Sequence, residues 1–138
     1  MATIDYAAVC EAIEERPSLN TWPNILRLGK NRVDISVYPA TVQVAMLIAA
    51  RLSAEEAQQG PQVLELLVET YDVVANEVVQ RVDIAEPIED VSAITPRPVG
   101  YPLLLTPRVE FHLPHEGVFL VRVKGWDSHY DFLLAALS

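Results

Sequence analysis

Apolar and polar residues alternate one by one through most of the second half of this chain. From Leu103 to Leu113, Val109, Phe111 and Leu113 fall on one face and Arg108, Glu110 and His112 on the other, the period of a half-buried strand. In the run from Val118 to Lys124, Phe119, Val121 and Val123 share one face while Val118, Leu120, Arg122 and Lys124 share the other. The first of these faces is therefore committed to a core. Phe132 to Leu137 reads as a final apolar strand. Val63 to Val73 and Glu77 to Ile84 are two more strand-like runs, joined at Val74-Ala75-Asn76, where Asn76 tolerates a positive φ; together they predict a hairpin. Earlier, Val33, Ile35 and Val37 alternate with Asp34, Ser36 and Tyr38 up to Pro39, another period-two strand.

Other segments carry mixed signals. Thr41 to Leu52 alternates at its start and is Ala-rich at its end, and we read it as a strand to about Leu52. Ser53 followed by Glu56 has the spacing of a capping box and predicts one helical turn before Gly60-Pro61. In Asp5 to Arg16 the recurrence of Tyr6, Val9, Cys10 and Ile13 favours a short amphipathic helix over an extended segment. Leu19 to Arg27 surrounds Pro23 with β-branched and aromatic residues, which suits an edge strand or a bulge. Turns are expected at Gly29-Lys30-Asn31 and at Pro114 to Gly117, and the proline-rich stretch from Glu86 to Pro102 reads as a long crossing loop.

Composition narrows the classes of function. A chain of 138 residues is expected to be one domain. Its 51% hydrophobic content sits at the apolar end for a soluble domain and suggests that some apolar surface is covered by another subunit. Ten basic against nineteen acidic residues give a net charge of -9, which disfavours nucleic acid and anionic membranes as partners. Arg27, Lys30 and Arg32 form the one basic cluster, best read as a solvated loop. Cys10 is the sole cysteine, expected as a small buried hydrophobe with no histidine beside it. No signal-like start and no membrane-length apolar run are seen, so a cytoplasmic location is expected.

The stretch GWDSHYD, Gly125 to Asp131, gathers the most chemistry. Gly125, Asp127 and Ser128 are turn formers, which makes it a hairpin connection first. An alternative is a small-ligand or metal-dependent hydrolytic site drawn from His112, His115, His129, Asp127 and Asp131, but no cysteine ligand or helical histidine pair supports a metal. No cofactor is expected, since phosphate loops, nucleophile elbows and zinc spacings are all missing.

The opening Asp5-Tyr6-Ala7, the entry Tyr38-Pro39-Ala40 into Val42 to Leu52, the SAEEAQQG link, the Val63 to Ile84 hairpin and above all Phe111 to Gly125 together resemble a family of small bacterial β-sandwich proteins with no assigned chemistry. The resemblance implies a mainly β, antiparallel, two-sheet immunoglobulin-like sandwich of about seven strands with one or two short helices. An α+β domain with helices at Asp5 to Arg16 and Val42 to Gln59 is the alternative architecture. The function expected is a non-enzymatic protein-binding or assembly module, with a homodimer or larger assembly as partner and Trp22, Trp126 and Tyr130 as contact residues.

Overall fold

The computed structural model describes residues 3–10, 12–13, 25–26, 29, 31–57, 62–88 and 101–138. In chain order the elements are β1 (Thr3–Cys10), β2 (Ala12–Ile13), β3 (Ile25–Leu26), β4 (Arg32–Asp34), β5 (Ala40–Leu52), α1 (Ala54–Ala57), β6 (Gln62–Asp72), β7 (Glu77–Ile88), β8 (Tyr101–Leu105), β9 (Arg108–Leu113), β10 (Gly117–Gly125) and β11 (Ser128–Leu137). The protein is mainly β, with two principal sheets. In one, β5 lies between β1 and the pair β8 and β9; the other runs β4-β11-β10-β6-β7, and β2 and β3 form a small separate pair.

The N-terminal segment corrects the helix expected from Asp5. Residues 5–10 belong to β1, which pairs antiparallel with β5 from Thr3 opposite Arg51 to Cys10 opposite Ala45. Ala7 and Val9 enter the central core, and Ala8 and Cys10 on the alternate side are buried as well. A strand buried on both faces has no polar alternation to display, so its apolar spacing imitates a helix until tertiary pairing decides. Of the remainder of that expected helix, Ala12–Ile13 form β2 and residues 11 and 14–16 lie outside the described residues. Around α1 the capping box forms: Glu56 N donates to Ser53 Oγ at 3.2 Å and Ser53 N donates to Glu56 Oε1 at 3.2 Å.

Leu103 to Leu113 divides into β8 and β9, yet the ladder with β5 never slips. Ile48 faces Leu105 and Ala45 faces Arg108, so the two segments keep one register across Thr106-Pro107. Met46 N donates to Pro107 O at 3.0 Å, and the reciprocal bond is lost because proline has no N–H.

Antiparallel order fails at one edge. β4 runs parallel to β11, with Arg32 beside Ala135 and Asp34 beside Leu137, so the five-stranded sheet is mixed. Only a short hairpin connection forces neighbours to be antiparallel, and β4 reaches β11 from the other end of the sequence. The expected strand through Val37 is cut short for a related reason: Ile35 N donates to Leu137 O at 2.7 Å, where β11 ends, and Val37 is 74% exposed.

One buried cluster joins the sheets. Met46, Ile48, Val109, Phe111 and Leu113 face Leu64, Leu66, Val68, Phe119, Val121, Val123 and Leu134, and the alternation read from β9 and β10 holds in their burial. Polar side chains stitch both margins. At one, Ile4 N donates to Ser128 Oγ at 3.0 Å and Val9 N to Asn31 Oδ1 at 3.2 Å. At the other, the Gln80 amide donates from Nε2 to Glu110 O at 2.9 Å and accepts from His112 N at 2.8 Å, extending the β9 ladder as a backbone amide would. Among the described residues no helix is long and apolar enough to cross a membrane.

Gly125 is buried, and a Cβ there would fall within contact distance of Leu66 Cδ2 and 3.3 Å from Ile4 Cδ1. Gly125→Ala is expected to cost about 1–3 kcal/mol by overpacking, read from denaturant unfolding. An unchanged midpoint would mean that Leu66 swings aside without loss.

Candidate functional site

Only the middle of GWDSHYD forms the expected turn: Gly125 ends β10, and Ser128 to Asp131 already belong to β11, which starts before the expected Phe132. Gly125 pairs with Ser128 at the end of the β10–β11 hairpin, leaving Trp126-Asp127 as a two-residue connection. The residue with unusual dihedrals is Trp126, at φ 56°, where glycine is the usual occupant. Gly125 instead provides space for Leu66, a role invisible before the sheets are stacked.

The residues singled out from the sequence do not converge. His129 and Asp131 sit together on the outer face of β11, with His129 Nδ1 3.2 Å from Asp131 Oδ1. Asp127 is exposed in the turn, whereas His112 lies on the outer face of the opposite sheet, its Nδ1 3.2 Å from Thr41 Oγ1. Trp126 is 37% exposed at the hairpin tip. Tyr130 is directed inward, packing against the core and tilted at 56° to Tyr6 with ring centroids 5.4 Å apart. Trp22 lies outside the described residues. Among the described residues no group of three or more His, Cys, Asp or Glu side chains is placed to hold a metal ion.

What the fold does bring together is a patterned surface on the outside of the five-stranded sheet. Register aligns three rows across β7, β6, β10 and β11. Val78, Tyr71, Leu120 and Leu133 form an apolar row; Arg81, Glu69, Arg122 and Asp131 form a row of alternating charge; Asp83, Leu67, Lys124 and His129 form the third. Leu133 is 56% exposed and Val118, beside this surface on β10, 46%.

The charged row is tightly held. Arg122 donates from Nε to Asp131 Oδ1 at 2.8 Å and from Nη2 to Oδ2 at 2.9 Å, the bidentate fork that suits guanidinium and carboxylate. That contact holds the Asp131 carboxyl below its ordinary value despite partial burial. The Arg122 guanidinium also lies 5.5 Å from the Tyr71 ring centroid, within cation–π range. Glu69 is buried even though it belongs to the outer face. Arg81 Nε donates to its Oε2 at 3.0 Å, and Lys124 Nζ lies 2.9 Å from Oε1 as an ion pair, with an orientation poorer than that of a well-aligned hydrogen bond. Lys124, followed by Arg81, keeps the Glu69 carboxyl ionised below the ordinary glutamate range against the effect of its burial.

A second charged pair escaped the sequence reading. His115, in the β9–β10 turn, places Nε2 2.5 Å from Asp72 Oδ2 and Nδ1 2.7 Å from the Glu116 carbonyl. Both partners have acceptor oxygens, so this geometry favours the imidazolium form, which donates from both ring nitrogens. Asp72 Oδ1 meanwhile accepts from Val74 N at 3.0 Å and Ala75 N at 3.2 Å, closing the β6–β7 turn. The pair thus clamps the end of the β6–β7 hairpin to the turn that crosses from β9 in one sheet to β10 in the other. The Glu116 carbonyl and then Asp72 raise the His115 pKa; His115 and then the turn amides lower that of Asp72. Neither ring nitrogen is free to act as a base in this state.

Cys10 is a buried thiol that donates to Ala45 O at 3.5 Å, and burial pushes its pKa up, the reverse of what a nucleophile needs. A cavity of about 370 Å³ opens beside it, between Val9, Arg32, Gln43 and Arg108. Arg32 is already paired with Asp34 at 3.0 Å.

Because folding raises the His115 pKa above 6.5, its stabilisation is complete below that value and disappears as pH rises through the folded-state pKa. Asp72, lowered from 3.8, contributes above that value and loses its effect as pH falls through its folded pKa. Urea midpoints measured upward from pH 6.5 should therefore fall more for wild type than for His115→Gln; parallel curves would refute the clamp. Trp126→Gly relieves the positive φ and should leave the thermal midpoint unchanged or slightly raised. A drop of several degrees would show that the indole packs more than the turn strains.

No family model matches the chain, and no curated protein matches it.

Proposed function

We propose that this chain is an immunoglobulin-like β-sandwich that works as a non-enzymatic protein-binding or assembly module in the cytoplasm, with the outer face of its five-stranded sheet as the contact surface. The observation that carries this reading is the half-buried apolar row that ends in the exposed Leu133 and is flanked by the exposed Val118, laid beside a braced row of charge. The opposite faces of the same strands are filled by the core, and of the side chains in these two rows only Glu69 is buried. An apolar strip bordered by polar groups is the usual composition of a protein contact. Arg122 and Tyr71, held against each other, are residue types that anchor such contacts. Trp126 stands at the tip of the hairpin that carries Leu133 and adds a third anchor, the second that is aromatic.

A photo-crosslinking amino acid placed at Leu133 should give a discrete protein adduct in cells that express the full chain. The same group at Val37, which is more exposed at 74% against 56%, is the control and should give none. Equal labelling from the two positions would refute a dedicated contact face.

A further inference from the structure

We infer that the partner fitted by this face is a second copy of the chain, docked sheet against sheet about a two-fold axis that runs parallel to the strands between β6 and β10. The inference rests on the reading of that face as a contact surface. Rotation about such an axis exchanges β7 with β11 and β6 with β10 while leaving each row at its own height. The charged row runs Arg81, Glu69, Arg122, Asp131 from β7 to β11. Its order is positive, negative, positive, negative, so its reversed copy is its complement: Arg81 comes opposite Asp131 of the second copy, and the second copy's Arg122 comes over the buried Glu69.

The neighbouring rows obey the same operation. Asp83 comes opposite His129, and Leu67 lies under the aliphatic stem of Lys124. In the apolar row Val78 comes opposite Leu133 and Tyr71 opposite Leu120. An axis at right angles, along the charged row, would set Arg81 and Asp131 against their own copies, so like charges would oppose one another. Two-fold contacts need a patch that is complementary to itself, and this one is so under a single orientation of the axis. Two sheets whose strands stay nearly aligned also pack in a familiar way.

The overall charge bears on which partner is suitable. The three rows hold Arg81, Arg122 and Lys124 against Glu69, Asp83 and Asp131, three positive and three negative, whereas the chain has ten basic and nineteen acidic residues in all. A second copy brings that same acidity, and a charge-balanced face repels it less than a face with the chain's average charge would.

Sedimentation equilibrium on the full chain tests the pairing, with Asp83→Lys and His129→Asp as variants whose folding is checked by thermal melting. Wild type should dimerise, and each variant alone should raise the dissociation constant at least about tenfold, because like or unmatched groups then face one another. An equimolar mixture of the two variants should recover the dimer, since Lys at position 83 of one chain then meets Asp at position 129 of the other while the remaining Asp83 and His129 keep their original contact. Wild type that stays monomeric to its solubility limit would overturn the pairing, as would a dimer that neither variant weakens or a mixture that fails to recover. If the crosslinker at Leu133 instead captures a different protein while the chain remains monomeric, self-pairing falls and the contact face stands. If Leu133 captures nothing, both fall.

Discussion

The thirteen-residue strand β5 is the constraint on which the molecule depends. It is hydrogen-bonded on both edges along much of its length, to β1 on one side and to β8 and β9 in a single register on the other. Each buried backbone amide in the middle of such a strand needs a ladder partner, so β5 draws the first strand of the chain and a segment from the last third of it into one sheet. The alternation of Met46 and Ile48 toward the central core and of Ala45 and Leu47 away from it then fixes which sides of β1 and β9 face inward. A shift of one residue would exchange those sides entirely.

The second sheet is stacked on the first through one apolar cluster and held by polar contacts at its two margins. Gln80 and Ser128 do similar work from opposite sides, each satisfying backbone groups of the other sheet. With the inner faces occupied, the chemistry of the molecule is displaced to turns and outer faces. His115 and Asp72 join two turns with both imidazole nitrogens engaged, and Arg122 is committed to Asp131. Groups bound in this way serve to position a surface. The outer surface of the five-stranded sheet, which holds Arg122 and Asp131, is apolar in one row and charge-alternating in the next, which is the basis for reading it as a place where protein meets protein.

Much of the architecture was legible because strands with one wet face display their period. The inward set Val109, Phe111 and Leu113, the inward set Phe119, Val121 and Val123, the positive φ of Asn76 at 53° and the Ser53–Glu56 capping box all follow from local spacing. The first strand was hidden for the same reason that it is stable: Ala7 and Val9 are buried on one side and Ala8 and Cys10 on the other, so no polar phase remained to distinguish strand from helix. The parallel placement of β4 was hidden too, because its partner β11 lies about a hundred residues away in the chain and no hairpin enforces its direction.

Sequence by itself determined the mainly β character, the acidic balance, the single thiol and a hairpin turn within Gly125 to Asp131, since each of these depends on composition or on neighbours within a few residues. Tertiary structure alone decided which charges meet. Glu69, Arg81, Arg122 and Asp131 are scattered over more than sixty positions of the chain, and no local pattern links them. They become one row only when the register of three strand pairs is set, and that register is chosen by the apolar side chains on the far side of the same strands.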